Sequence, residues 1–448
     1  MKKTLLLLLA VITIMTALIF STVSVNAETE GYLTYTVEDG KATITSCDKS
    51  ISGTLTIPST LGGYPVTRIG GSAFKDYTNL TSVVIPNSVT SIGQEAFRGC
   101  TSLTSITIGS SVTSIGSDAF YNTGYYNNSS NWENGVLYIG NCLIDADSYL
   151  LSGNYTIKLG TKTIANSAFR TCTSLTSVVI PNSVTSIGSS AFSCCTSLTS
   201  VTIPNSVTSI GRFAFSYCTS LTSVTIPNSV KSIGSSAFSN CTSLTSITIG
   251  SSVTSIRDCL FDQCKALTSV VIGNGVTSIG KDAFCGCTSL TSVTIPNSVK
   301  SIDEYAFSCC YYLSDVYYTG SKEEWNKIDI GSWGNDYLTD ATIHYNHISK
   351  KGWVNENGGW YFYDNGEVVK NTWKKDNIDW VYFDSEGKMV NDDFVEEENG
   401  WCYLDDNGHR TTQTGFKKVN GNWYYLKDGY VKENGYIKLI RMALFSWC

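Results

Sequence analysis

The sequence predicts a mainly β repeat protein, a solenoid of 23-residue units followed by an array of β-hairpins. Three observations carry that reading. Phenylalanine recurs at 74, 97 and 120 and again at 169, 192, 215, 238, 261, 284 and 307, with every step but one equal to 23. Ten isoleucines, Ile69 to Ile302, stand five positions before these phenylalanines, and nine leucines, Leu80 to Leu313, stand six positions after them. Past Lys350 the composition shifts, and six of the ten tryptophans fall between 353 and 423.

Composition bounds the answer before any element is placed. A chain of 448 residues has room for about three domains. Thirty-one basic residues against 38 acidic give a net charge of −7, which is not the balance of a nucleic-acid binder. Charged residues make up 15%, where about 25% is usual, and Ser, Thr, Asn and Gly take their place. Histidine occurs only at 344, 347 and 409, which disfavours histidine-dependent catalysis. Sixteen cysteines are too few for a disulfide scaffold of this length.

Taken in chain order, Lys2 and Lys3 precede an apolar run from Leu5 to Phe20, and Val25-Asn26-Ala27 offers a small-residue cleavage site before Glu28. Residues 1–27 therefore read as a secretory signal peptide. No later apolar run is long enough to span a bilayer, so no stable membrane insertion is expected after cleavage. Residues 28–60 read as an N-terminal cap, with a hairpin over Tyr32 to Ile57 turning at Asp39-Gly40.

The solenoid is assigned to 61–319. In one unit Leu198, Val201 and Ile203 give the Leu-x-x-Val-x-Ile leucine-rich-repeat pattern, in which alternate strand residues point inward. Pro204 ends the strand, Val207 and Ile210 form a second inward ledge, and Ala191-Phe192 is expected on a short helical turn that closes the coil. Each unit offers about six apolar side chains worth roughly 1.5–3 kcal/mol each when buried. Ordering its residues costs roughly 1.5 kcal/mol apiece, so a unit is stable only when stacked on neighbours. The step from Phe120 to Phe169 is 49, two periods plus three. An insertion near 121–160 accounts for it: a Gly/Asn-rich loop, then two strands around Gly140-Asn141.

Residues 320–348 read as a C-terminal cap, with Ser321 and Glu324 forming a capping box and Thr342 to Tyr345 a last strand. In the array, 349–437, Trp353, Trp373, Phe394, Phe416 and Tyr436 recur at steps of 20 to 22, and Trp360, Trp380, Trp401 and Trp423 follow the first four by seven. A glycine turn follows each of these pairs, so each unit is a hairpin, and hairpins marginal alone must stack. The tail 438–448 matches no repeat and is unassigned.

The motif C-x-S-L-T-S-V-x-I-P-x-S-V-T-S-I-G-x-x-A-F, running over about 50–315, resembles the BspA-like leucine-rich repeats of bacterial surface proteins. That resemblance implies adhesion or interaction and no enzymatic activity. Gly352-Trp353 with Trp360-Tyr361-Phe362, and Trp423-Tyr424-Tyr425-Leu426, resemble the choline- and glucan-binding cell-wall repeats of Gram-positive surface proteins. In the choline-binding version, two aromatics of one hairpin and a tyrosine of the next cage a quaternary ammonium by cation–π attraction. Carried across by position, the cages are Trp353, Trp360 and Tyr382; Trp373, Trp380 and Tyr403; and Phe394, Trp401 and Tyr425. Phe at 394 and 416, Val381 and Cys402 depart from that pattern.

The remaining clusters read as structure. Eight cysteines stand three after the repeat Phe, from Cys100 to Cys310, one per unit, and supply no tetrahedral set with histidine. Cys194, Cys285 and Cys309 lie beside the column and are the better candidates for pairing. His344 and His347 fall on opposite sides of a strand, and Glu396 to Glu398 read as a solvated loop. Asp145 and Asp147 form a candidate acid–base pair with no cleft implied by the sequence. No catalytic motif appears in a convincing context, and neither a metal site nor a cofactor is expected.

The expected product is an exported binding protein of the cell surface. The array would bind a cell-wall polysaccharide or a choline-bearing wall polymer, and the solenoid an unidentified protein or glycan. The outward strand positions form the partner face: Ser105 and Thr107, Ser177 and Val179, Ser200 and Thr202, Ser223 and Thr225, Ser246 and Thr248, Ser292 and Thr294. A carbohydrate-binding scaffold and an unrecognised hydrolase are the alternatives.

Overall fold

The computed structural model describes residues 27–346 and, between 352 and 431, the strand segments of an array of hairpins. The chain divides into two compact units at His344/Tyr345. The signal-peptide reading of 1–27 lies outside the described residues, apart from Ala27. Among the described residues no helix is long and apolar enough to cross a membrane.

The chain enters the solenoid through an antiparallel pair, Leu33–Glu38 with Lys41–Cys47. Asp39 and Gly40 turn it, both at positive φ (49° and 69°), as a two-residue hairpin matching strand twist requires. Lys41–Cys47 then pairs in parallel with Tyr64–Ile69, which passes the edge on to the first coil.

Each coil places a longer strand on one side and a two-residue strand on another. The longer strands after the insertion form a nine-stranded parallel sheet from Gly153–Thr156 to Thr342–His344. Because the period is constant, identical residues pair: Ser200 with Ser223, Ser223 with Ser246, Ser209 with Ser232. Along Ser223–Ile226 exposure alternates, with Val224 and Ile226 turned inward. The core of one coil is Leu221, Val224, Ile226, Val230, Ile233, Ala237, Phe238 and Cys241, none more than 4% exposed.

Period also aligns the aromatic rings. Phe192 stacks on Phe215 with centroids 5.2 Å apart and planes within 3°, and Phe215 on Phe238 at 5.3 Å and 6°. Each column cysteine is fully buried, and every column thiol but that of Cys172, which has Ala146 at that spacing, donates to the carbonyl of a phenylalanine 26 residues earlier, as Cys218 Sγ does to Phe192 O at 3.2 Å. A small apolar side chain with a weak donor suits that corner. At the opposite corner, Thr222 sends both its backbone N–H (3.2 Å) and its Oγ1 (3.3 Å) to Thr199 O, and the pattern repeats at Thr245, Thr268 and Thr291.

One local expectation is corrected. Ala191-Phe192 lies on paired turns and not on a helical turn. Ser190 and Cys194 are left-handed (φ 55° and 61°), and the pair of positions recurs as Ser236 and Asn240 and as Tyr305 and Cys309. Alternate N–H groups leave their own coil: those of Ser190, Phe192 and Cys194 donate to Arg212, Ala214 and Ser216 carbonyls of the next at 2.7–2.8 Å. A helical turn would keep these donors inside one coil, so the stack's hydrogen bonds select the unusual backbone.

The insertion is built differently. Thr123 caps the short helix Gly124–Asn127, and Trp132–Glu133, Val136–Ile139 and Cys142–Ala146 form an antiparallel meander turning at Gly140-Asn141. Val136–Ile139 is buried along its whole length. Cys142-Leu143 pairs in parallel with Thr163-Ile164, wedging the meander into the stack. The wedge ends the first long sheet at Ser105–Ile108, and Tyr155 replaces a phenylalanine as the ring beside Phe169, 5.9 Å away.

The solenoid closes on the helix Lys322–Trp325, whose capping box is complete: Glu324 N–H donates to Ser321 Oγ and Ser321 N–H to Glu324 Oε2. In the array, Gly352–Glu356 pairs with Gly359–Asp364, Thr372–Lys375 with Trp380–Phe383, Asp393–Glu397 with Gly400–Leu404, and Gly415–Val419 with Asn422–Lys427. Stacking shows in the side chains described: Phe362 packs against Val381 and Phe383, and Tyr382 against Cys402 and Leu404.

Candidate binding surfaces

Parallel in-register pairing turns the outward strand positions into continuous columns. One runs Ser177, Ser200, Ser223, Ser246, Ser269, Ser292; its neighbour runs Val179, Thr202, then Thr225, Thr248, Val271, Thr294. Ser200, Thr202, Ser223 and Thr225 are exposed, whereas Ser246, Thr248, Ser292 and Thr294 are half-buried. Ser105 and Thr107 are also exposed but belong to the separate three-stranded sheet before the insertion, so the face is in two parts. A shallow depression of about 720 Å³ lies over Val179, Thr202 and Thr225, where Val179 is 56% exposed.

The columns continue past the repeats into residues the spacing alone could have found. Ser292 pairs with Asp315 and Thr294 with Tyr317, one period on, and Tyr317 pairs with His344. There the hydroxyl face becomes polar and aromatic. His344 stacks on Tyr317 at 4.8 Å and its Nε2 lies 2.7 Å from Asp315 Oδ1. The hydrogen bond to His344 holds the Asp315 carboxyl below its usual range.

Of the cage residues, only Tyr382 and Tyr403 have described side chains. Tyr382 is half-buried, and Tyr403 is fully buried. The side chains of Trp353, Trp360, Trp373, Trp380, Phe394, Trp401 and Tyr425 lie outside the described residues. Their backbones are placed: Trp353 pairs with Phe362, Trp373 with Tyr382, Phe394 with Tyr403 and Phe416 with Tyr425. Each aromatic that opens a hairpin thus stands opposite the position two after its second tryptophan. Lys374 Nζ sits 4.1 Å from the Phe362 ring centroid, across the first two hairpins.

The other candidate clusters resolve into packing. Burial pushes the column thiols up, to about 11 at Cys100 and about 12 at Cys172 and Cys310, which disfavours the reactive thiolate. Cys194, Cys285 and Cys309 are half-buried and free. Asp145 accepts from Tyr126 OH at 2.8 Å and from Ala146 N–H at 2.9 Å, and burial pushes its carboxyl up to about 6. Asp147 accepts from the N–H groups of Tyr149 and Leu150, forming a turn. Among the described residues no group of three or more His, Cys, Asp or Glu side chains is placed to hold a metal. His347 and Glu398 lie outside them, and the loop expected at Glu396 to Glu398 is corrected in part: Glu396 and Glu397 stand on the strand Asp393–Glu397, paired with Trp401 and Gly400.

The family model described as a BspA type leucine rich repeat region, in six copies, matches 67–152, 148–268 and 256–350, well over half of the chain. A cell wall binding repeat model matches 351–368 and 414–429. A leucine rich cell surface protein from Faecalibacterium prausnitzii is 32% identical, with 69% of this chain and 99% of that one covered and a TM-score of 0.27. A leucine-rich repeat protein from Bacteroides ovatus is 23% identical, over 71% and 99%, with a TM-score of 0.27. The choline binding domain of Spr1274 from Streptococcus pneumoniae is 32% identical over 14% of this chain and 98% of that one, with a TM-score of 0.14. No curated protein matches the chain.

Proposed function

The chain belongs to the BspA-type leucine-rich-repeat family, and from that premise we propose that it is a secreted, cell-wall-associated, adhesin-like binding protein. The aromatic hairpins attach it to the wall, and the solenoid presents a face to a protein or glycan partner. The observation that carries this reading is the union in one chain of six-copy surface-protein repeats with cell wall binding repeats. The signal peptide at 1–27 supplies export.

The solenoid contributes a surface that is flat, in register and without charge over most of its length, with a depression over Val179 to Thr225. Repeat proteins bind through extended faces of this kind. Wall attachment falls to the cages Trp353–Trp360–Tyr382, Trp373–Trp380–Tyr403 and Phe394–Trp401–Tyr425, and because Tyr403 is fully buried the second relies on its two tryptophans. Each good ring contributes roughly 0.5–2 kcal/mol to holding a quaternary ammonium. The third cage, opening with Phe394, is the weakest because Phe is a poorer partner than Trp. The array carries more acidic than basic residues, so long-range attraction to anionic wall polymers does not drive attachment.

Cosedimentation of the full secreted chain with purified choline-bearing walls tests this reading. Retention should survive moderate salt, fall on addition of free choline, and fall with Trp353→Ala plus Trp373→Ala. Retention unchanged by choline and by the double substitution would overturn it. Release by soluble glucan but not by choline would move the ligand to a wall polysaccharide and leave attachment in the array.

A further inference from the structure

The insertion does more than break the period, because it opens a cleft of about 670 Å³ on the side of the solenoid. The cleft is lined by Tyr126, Trp132 and Tyr149, with Asp145, Asp147 and Arg170 among them. The long strands of the regular coils offer mostly Ser and Thr outward, and the repeat phenylalanines are fully buried. Here the aromatic residues come to the surface.

The walls are held in place. Trp132 Nε1–H donates to Tyr126 O at 2.8 Å, and the two rings meet edge to face at 5.1 Å and 85°. Tyr126 is fixed from behind by its 2.8 Å hydrogen bond to Asp145 and by a second edge contact, with Tyr121 at 5.1 Å. Tyr149 is 97% exposed and Leu150 72%, and the backbone that carries them is fixed. The Asp147 carboxylate takes their two N–H groups at 2.9 and 3.2 Å and locks the turn that displays them. A large aromatic side chain displayed in water on a fixed turn contributes little to the fold and leaves its ring open to stack on a ligand.

We propose that this cleft is a binding site for a neutral oligosaccharide, with one pyranose ring stacked on Tyr149 and its hydroxyls reaching Asp147 and Arg170. The proposal extends the reading that the solenoid engages a partner, and it places a second site away from the Ser/Thr face. Sugar chemistry fits on three counts. The C–H face of a pyranose stacks on a single flat ring, and Tyr149 offers one. Vicinal hydroxyls pair with carboxylate acceptors and guanidinium donors, and the cleft holds both. Two carboxylates against one guanidinium disfavour an acidic sugar. A quaternary ammonium fits less well, because a cage needs converging ring faces, whereas Trp132 and Tyr126 turn an edge to a face.

The test is binding of the full secreted chain to a printed panel of di- to tetrasaccharides of glucose, galactose, mannose and N-acetylglucosamine, with sialylated counterparts alongside. At least one neutral member should be retained. Tyr149→Ala should weaken that retention tenfold or more with an unchanged melting temperature. Tyr149→Phe should preserve it, and Trp353→Ala plus Trp373→Ala should leave it intact. Retention of no neutral member, retention unaffected by Tyr149→Ala, preference for the sialylated members, or displacement by free choline would each overturn the proposal. If the array double substitution abolishes retention and Tyr149→Ala does not, the cleft fails while wall attachment stands. If Tyr149→Ala acts on sugars while wall cosedimentation ignores the array, wall attachment fails and the cleft stands.

Discussion

The regular coils and the insertion at 121–160 use the same residue types to opposite ends. In the coils every repeat phenylalanine is fully buried and stacked on a neighbour, and most outward positions of the long strands are Ser or Thr. In the insertion Tyr126 and Trp132 are half-buried, Tyr149 is almost wholly exposed, and a carboxylate, Asp145, is half-buried among them. Period explains the contrast. A side chain repeated every 23 residues meets its own copy above and below, so the best residue is one that packs on itself. Where the period breaks, no copy faces the side chain, and residues are free to serve something other than the stack.

The largest effect that should follow lies in the regular coils. Leu221→Asp removes a fully buried Leu and leaves an unpaired charge in the core, which costs more than about 5 kcal/mol. Ser223→Asp, two residues on and exposed, should change stability by less than about 0.5 kcal/mol. Thermal melting of the two variants checks this, and similar shifts would break the inward/outward assignment.

Next comes the cysteine column, where burial and raised thiol pKa values act together. Native alkylation of Cys218 and Cys241 should be slower than that of half-buried Cys194 by about a thousandfold or more, because the column opens only when coils separate. Mass-resolved labelling reads this, and comparable rates at Cys194 and Cys241 would show that the column is not core.

A smaller effect sharpens the insertion side of the comparison. Asp145 titrates near 6 in the folded chain, above the roughly 3.9 of an unfolded Asp. The group favours folding fully below about pH 4, and that contribution is lost as pH rises through about 6. Asp145→Asn keeps an acceptor for Tyr126 but cannot ionise. The variant should gain on the natural chain between pH 4 and 7 by at most about 3 kcal/mol, less whatever solvent screens at this half-buried site. Parallel stability–pH curves for the two proteins would contradict the burial of that carboxylate.

Much of this architecture was legible in the sequence because repetition amplifies weak signals. A single Leu-x-x-Val-x-Ile is ambiguous, but nine leucines in phase with ten phenylalanines allow one stack only. The Asp39-Gly40 turn and the Ser321–Glu324 capping box were readable because their chemistry is local. The paired left-handed turns at Ser190 and Cys194 were not, since nothing in Ser or Cys signals positive φ. Those conformations are imposed by hydrogen bonds to the next coil. The continuation of the outward face through Asp315 and Tyr317 was readable by adding one period to Ser292 and Thr294, but the change of residue type hid it. The cleft was illegible for a different reason. Asp145 and Asp147 stood out as a pair, yet their meeting with Trp132 and Tyr149 depends on how an irregular loop folds back on a meander.

The central claim is a division of labour: wall contact belongs to the aromatic array, while the regular coils keep their rings as core. Hydroxyl-radical footprinting of the full secreted chain, with and without purified choline-bearing wall, tests it at residue resolution in one measurement. The account expects Phe192, Phe215 and Phe238 to stay unoxidised throughout, and Trp353, Trp360, Trp373 and Trp380 to be oxidised in the free chain and protected on the wall. Protection confined to the strands from Ser200–Thr202 to Ser292–Ile295, with those tryptophans unaffected, would contradict it.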